Sequence, residues 1–188
     1  MPKVTEEHLE ARRAQILEGA RHAFAKYGYD GATVPRLEEA IGLSRGAIFH
    51  YFDGKLDLFV SVAADVNRQV IAVIRESGIA GALREIARTD PEFLAVLIET
   101  ESRLRHDEDF VRRMEALADE LLPEVFKWWE EQQEVGALRT DIELPQLAQF
   151  ASLVTNGLAM RVAGGDPADL DIEVVVRLLE DALGPRPQ

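Results

Sequence analysis

The stretch TVPRLEEAIGLSRGAIFHYFDGK, running from Thr33 to Lys55, decides the fold. Thr33 stands where an N-cap belongs, its hydroxyl placed to accept a free backbone N–H, and Pro35 suits a first helical turn because no intrahelical donor is lost there. Val34, Leu37, Ala40 and Ile41 recur at helical spacing and form a buried face. Gly42 supplies the left-handed backbone of a sharp turn, and Ser44 caps a third helix expected over residues 45–51. Two short helices joined in this way form a helix-turn-helix, the arrangement that lays its second helix in the major groove of DNA.

That second helix is a poor helix former by itself, with Gly46 inside it and aromatic residues at 49, 51 and 52. Contact, not propensity, explains its composition. Ile48 and Phe52 share a face that packs on Phe24, Leu37 and Ile41, which leaves Arg45, Gly46, Ala47, His50 and Tyr51 towards a partner; Phe49 fits core or surface equally. Arg45 can give two donors to guanine, Gly46 and Ala47 permit close approach, and His50 and Tyr51 reach phosphate or base edges. Thr33 and Lys55 suit phosphate oxygens at the rim.

Outward from this stretch the pattern is helical throughout, with no alternation that argues for a sheet, so the fold class is all-α. A first helix over 6–27 stops at Gly28. A long helix over 55–76 follows the motif, Gly78 and Gly81 bracket a break, and a weaker helix covers 82–88. Asp90 with Pro91, and then Asp107, mark two further starts; Pro123 bends the long helix that Gly136 closes. Pro145 and Asp169 open the last two helices, over 144–162 and 170–183, and Gly184 to Pro187 make a loose tail. The division expected is a DNA-binding domain over 1–54 and a ligand-binding and dimerisation domain over 55–188.

The net charge of −13 opposes binding to a polyanion, but it is unevenly placed. Residues 1–60 hold eight Lys or Arg against nine Asp or Glu, whereas residues 61–188 hold thirteen against twenty-five. The acidity belongs to the second module, which steers the N-terminal face towards DNA. There is no cysteine, which excludes disulfides and thiolate chemistry, and neither a secretory leader nor an apolar run of membrane length occurs, so a cytoplasmic protein with no membrane contact is expected. His8, His22 and His106 have no partner at ligand spacing, so no metal is expected. Nucleophile motifs and phosphate-cradling loops are absent from the sequence, which argues against an enzyme.

In the second module, Leu147, Phe150, Ala151, Val154, Leu158 and Val162 form one apolar stripe, and Leu170, Val174, Val175, Leu178, Leu179 and Ala182 form another. Each serves either as core or as half of a four-helix interface between two copies. Trp128 and Trp129 are adjacent and point about 100° apart on a helix, so at most one is fully in the core. Glu99, Arg103, Trp128, Asn156 and Glu180 are candidates for a ligand pocket, with surface ion pairs as the plainer account of the charged ones. Two other classes fit the same residues: an adaptor whose aromatic third helix docks a protein, and a small helical enzyme using Glu99, Arg103 and Trp128.

Ile16-Leu17 with Ala20 and Phe24, Gly28-Tyr29, Gly31-Ala32-Thr33-Val34, Gly42-Leu43-Ser44-Arg45-Gly46, and Phe49-His50-Tyr51-Phe52 with Lys55 resemble the TetR family of regulators. The resemblance implies about nine helices, a homodimer formed by the last two of them, a palindromic DNA operator and a small-molecule effector bound in the C-terminal module. It carries Thr33, Ser44, Arg45, Ala47, His50, Tyr51 and Lys55 over as DNA contacts, with Arg36 beside them and Gly46 allowing close approach. The family often has Thr where Ala47 stands, which removes one phosphate hydrogen bond. For the dimer it favours Phe150, Val154, Leu158, Val175, Leu178 and Leu179. Residues 16–21, 31–40, 44–50 and 136–141 resemble the actinobacterial branch that represses an aconitase gene, which makes a carboxylate metabolite one candidate effector; Trp128 suits an aromatic ligand equally. No cofactor is required by this reading.

Overall fold

The computed structural model describes residues 6–165 and 170–186, with the side chains of Glu6, Glu92 and Phe93 excepted. The Asp169 start and the end of the tail at Pro187 lie outside the described residues. Eight helices follow in order: α1 (Glu6–Gly31), α2 (Val34–Ile41), α3 (Arg45–Ile48), α4 (Lys55–Ile86), α5 (Pro91–Arg103), α6 (Glu108–Glu134), α7 (Leu144–Ala163) and α8 (Ile172–Leu183). No strand occurs among the described residues. Gly28 (φ 66°, ψ 173°) and Gly78 (φ 70°, ψ −179°) break α1 and α4 with backbone outside the helical region. The sequence predicts a stop at the first of these and a break that begins at the second.

The start expected at Asp107 is visible as a hydrogen bond, and α8 has a cap at Asp171, which the sequence reading does not single out. Asp107 Oδ1 accepts from Phe110 N–H at 3.0 Å and caps α6, and Asp171 Oδ1 accepts from Glu173 N–H at 3.0 Å at the head of α8. α6 runs through Pro123 as a single helix. It ends in a left-handed turn at Gly136, where Ala137 N–H reaches Gln132 O at 2.9 Å and Gly136 N–H reaches Gln133 O at 3.0 Å, the paired closure of a Schellman motif.

The described chain divides into two compact units. The first combines residues 1–67 with 95–114, so the helix-turn-helix shares a core with the start of α4, the end of α5 and the start of α6. Phe24, Phe59 and Phe110 are buried there, the Phe24 and Phe59 rings meeting edge to face at 4.9 Å and Phe59 lying 5.5 Å from Phe110. α1 and α2 approach closely at Gly19, where an added Cβ would stand 2.7 Å from the Ile41 Cα. Leu37 and Ile41 of α2 are buried as expected, but Ala40 is exposed and Val34 only half-buried. A helix of eight residues covers the core with one narrow stripe, and Ala40 falls beside it.

The second unit holds residues 68–94 and 115–188. Its core includes Leu83, Trp129, Leu147, Leu158, Val176 and Leu179. Arg139 is buried within it: its guanidinium makes two bonds of 2.7 Å to Asp141 and a third, of 3.1 Å, to Ala182 O, while its own N–H reaches Leu183 O at 2.9 Å. The guanidinium and the backbone N–H of Arg139 thus satisfy two carbonyls left free at the C-terminal end of α8.

Candidate nucleic-acid interface

The recognition segment begins at Ser44, whose extended backbone (φ −68°, ψ 156°) puts its hydroxyl 3.4 Å from Ala47 N–H. α3 is a single turn. Phe49 N–H bonds Arg45 O at 2.9 Å, and Tyr51 N–H then bonds Ile48 O at 3.1 Å, so residues 49–51 continue as tight turns and not as the helix expected through 51. Gly46 and the neighbouring aromatic side chains oppose propagation of so short a helix, and tertiary packing supplies its stability instead. Ile48 is 0% exposed and Phe52 2%, which places both in the core as expected. The Arg45 N–H donates to Glu38 Oε1 at 2.6 Å, tying the segment back to α2.

Ser44, Arg45, Gly46 and His50 are exposed, and Ala47, Phe49 and Tyr51 half-buried. The His50 and Tyr51 rings meet at 5.4 Å and 88°. A Cβ at Gly46 would meet nothing within 4 Å, so the protein's own packing does not demand glycine there. Gly46, Ala47, His50 and Tyr51 line an open depression of about 420 Å³ together with Leu43 and Arg12. Arg12 comes from α1 and was not among the residues expected from sequence; only the crossing of α1 brings it here.

Three residues expected at the rim are placed differently from a free phosphate contact. Thr33 occupies the N-cap position with extended backbone (φ −68°, ψ 160°) and is exposed, but its hydroxyl makes no capping bond, contrary to expectation. Leu37 N–H bonds the Thr33 carbonyl instead, at 2.9 Å, while Pro35, inside the first turn, has no N–H to offer a cap. Arg36 donates to Gly31 O at 2.8 Å and lies 4.3 Å over the Tyr27 ring. Lys55 donates to Tyr29 O at 2.7 Å and approaches Asp30 O at 3.5 Å, with its ammonium 4.3 Å from the Tyr29 ring. Burial pushes the Lys55 ammonium below the usual lysine pKa, opposed by the Asp30 charge.

Residues 16–62 match the family model described as bacterial regulatory proteins, tetR family. The whole chain is also 41% identical over 186 residues to an HTH-type transcriptional repressor of Mycobacterium tuberculosis, covering 97% of this chain and 98% of that one. The chain belongs to the TetR family. A second TetR relative, the HTH-type transcriptional repressor AcnR of Corynebacterium jeikeium, is 39% identical over 165 residues and 87% of each chain. Among solved structures, Salmonella enterica GusR superposes with a TM-score of 0.76 over 96% of this chain and 98% of that one at 17% identity, a likeness of fold. This TetR protein is a helix-turn-helix transcription regulator, and none of its described helices is long and apolar enough to cross a membrane.

The other residues singled out in this TetR chain are distributed over both units. Glu99 and Arg103 lie in the first. Glu99 Oε1 accepts from Tyr29 N–H at 3.2 Å, and Arg103 lies over the Tyr29 ring, pairs with Asp107 and stands 3.7 Å from Asp30. They border a cavity of about 540 Å³ with Asp30, Ser102, His106 and Asp107. Trp128, Asn156 and Glu180 lie in the second unit; Trp128 is half-buried beside Arg75, Glu124 and Lys127, while Asn156 and Glu180 are exposed. Of the tryptophan pair only Trp129 is in the core.

The residues expected to join two TetR copies divide in the same way. Phe150 and Leu178 are 41% and 62% exposed, and Val154 and Val175 half-buried. Leu158 and Leu179 are 4% and 2% exposed, so they belong to the chain's own core and are unavailable to a partner. An apolar stripe does not state which neighbour covers it. Val174, a member of the second stripe, is exposed as well, and so are Leu153 and Met160 of α7, which the sequence reading does not include.

Proposed function

We propose that this TetR protein is a repressor that binds a palindromic operator as a homodimer, reading bases through residues 44–51. The observation that carries the reading is the division of that segment: Ile48 and Phe52 lock it to the core while Arg45, Gly46 and His50 stay exposed. A glycine in a helix costs about 1 kcal/mol against alanine, and nothing inside the protein requires one at 46. Close approach of an outside surface accounts for it. Arg45 supplies base donors beside Ser44, Ala47, His50 and Tyr51, and Thr33 is an exposed contact at the head of α2; Arg36 and Lys55 hold the end of α1 through bonds to its carbonyls.

The exposed apolar side chains Phe150, Leu153, Met160, Val174 and Leu178 of α7 and α8 support dimerisation. A dimer sets two segments about 34–36 Å apart for half-sites one turn apart. The likeness to repressors named AcnR favours an aconitase gene as the target, and a carboxylate metabolite or an aromatic compound as the effector that shifts the DNA-binding equilibrium. Selection of duplexes from a random pool, followed by footprinting, tests the reading. A palindrome protected on two successive major grooves is expected, and the absence of any enriched sequence would overturn it.

A further inference from the structure

Arg12 reaches the depression of the recognition segment from outside the helix-turn-helix, and its placement is fixed by a relay. Arg12 Nη1 donates to Gln15 Oε1 at 2.8 Å, and Gln15 Nε2 donates to Ile41 O at 3.3 Å, the last residue of α2 before the turn. Only one orientation of the Gln15 amide serves both bonds, because the oxygen must face the guanidinium and the nitrogen the carbonyl. The guanidinium is thereby held one side chain away from the backbone that positions α3.

The other cations described around the motif are engaged. Arg13 lies 4.6 Å over the Phe52 ring, Arg21 pairs with Glu18 at 2.6 Å, and Lys26 stands 5.2 Å from the Tyr27 ring. Arg36 and Lys55 are bonded to carbonyls. Among the described residues neither Arg12 nor Arg45 takes part in an ion pair, and the partner of Arg12 is a neutral amide, so its full charge faces solvent. In a chain of net charge −13, uncompensated cations beside one depression set the sign of the local field.

We propose that Arg12 is a second DNA-contacting cation, which binds a backbone phosphate at the edge of the groove that residues 44–51 enter, with Gln15 as its positioning residue. The inference rests on the DNA-binding reading above and extends it to α1. Arg12 flanks the recognition segment and is not part of it, so it meets the strand and not the base edges. A guanidinium held by one nitrogen keeps its remaining donors for the forked contact that a phosphate offers.

Titration of a selected operator duplex and a scrambled duplex by fluorescence anisotropy, between about 50 and about 200 mM salt, tests this. Arg12→Ala is expected to weaken both duplexes by about tenfold and to reduce the salt slope by about 0.9. Arg12→Lys should keep the slope, and Gln15→Ala should weaken both duplexes by less than Arg12→Ala with the slope kept. If circular dichroism shows the alanine variant unfolded, Arg12→Gln replaces it with the same expectation. Wild-type affinity and slope in a folded Arg12 variant would overturn the proposal, as would a loss confined to the operator, which marks a base contact. A wild-type protein that binds neither duplex would overturn the DNA-binding reading itself, and this inference with it.

Discussion

The Arg103 guanidinium lies 3.7 Å from the centre of the Tyr29 ring, and the Lys55 ammonium lies 4.3 Å from the same ring. The residues just past the Gly28 break are therefore held by side chains of α4 and α5, with Glu99 accepting the Tyr29 N–H. Arg103 is mostly buried, and its Nε has no hydrogen-bond partner among the described residues. Arg103→Ala should lower the stability of the ligand-free protein by about 2 kcal/mol in urea unfolding, through loss of the cation–ring contact and its hydrogen bonds. An effector ligand held by Arg103 alone would leave that stability unchanged.

Asp107 gives the same junction a pH dependence. The Phe110 N–H bond, and then the Arg103 guanidinium, hold its carboxyl below the ordinary 3.8, against the opposing effect of burial. A depressed folded value means that the stabilisation is present above the unfolded pKa and is lost as pH falls through the folded one. The melting temperature should therefore fall more steeply below about pH 4 in the wild type than in Asp107→Asn. Parallel profiles for the two proteins would reject the assignment.

Arg45 and Lys55 should separate by readout. Arg45→Ala is expected to cost about 1–3 kcal/mol of operator binding and to relax base preference at one position, with folding unaffected. Lys55→Ala removes the clamp on Tyr29 O and Asp30 O, so its main effect should appear in thermal melting. Footprinting and melting of both variants check this, and a Lys55 variant with normal melting but a smaller salt slope would restore it to the DNA surface.

The exposed and buried leucines of α8 offer a matched pair. Leu178→Glu should yield monomers in sedimentation velocity while the fold is retained, since that side chain is 62% exposed. Leu179→Ala should instead cost about 2–5 kcal/mol of stability by opening a cavity in the core. A Leu178→Glu dimer would remove this face from the interface.

What was legible in the sequence was local. Gly42, Ser44, Ile48 and Phe52 are found where spacing and capping chemistry put them, because a short helix and its turn depend on neighbours within a few residues. The Gly28 and Gly78 breaks follow for the same reason. Arg12, the close approach at Gly19 and the capture of Lys55 by Tyr29 O all depend on residues more than twenty positions away, and no periodicity encodes those encounters. Leu158 and Leu179 lie in the chain's own core, the other of the two places their stripes allow, because an apolar residue reads alike whether its own chain or another covers it. Arg36 shows the converse limit: a cation suited to phosphate is equally suited to a carbonyl already beside it.

The single turn of α3 does not sustain itself; its shape is lent by Ile48 and Phe52 beneath it. The outward residues are therefore an interchangeable alphabet on a fixed line. On the proposed reading, exchanging Arg45, Gly46 or His50 should rewrite which operator is addressed and leave the scaffold intact, so new targets are within reach of a few substitutions. A change at Ile48 has the opposite character, since it blurs every letter at once and silences the protein on all promoters alike.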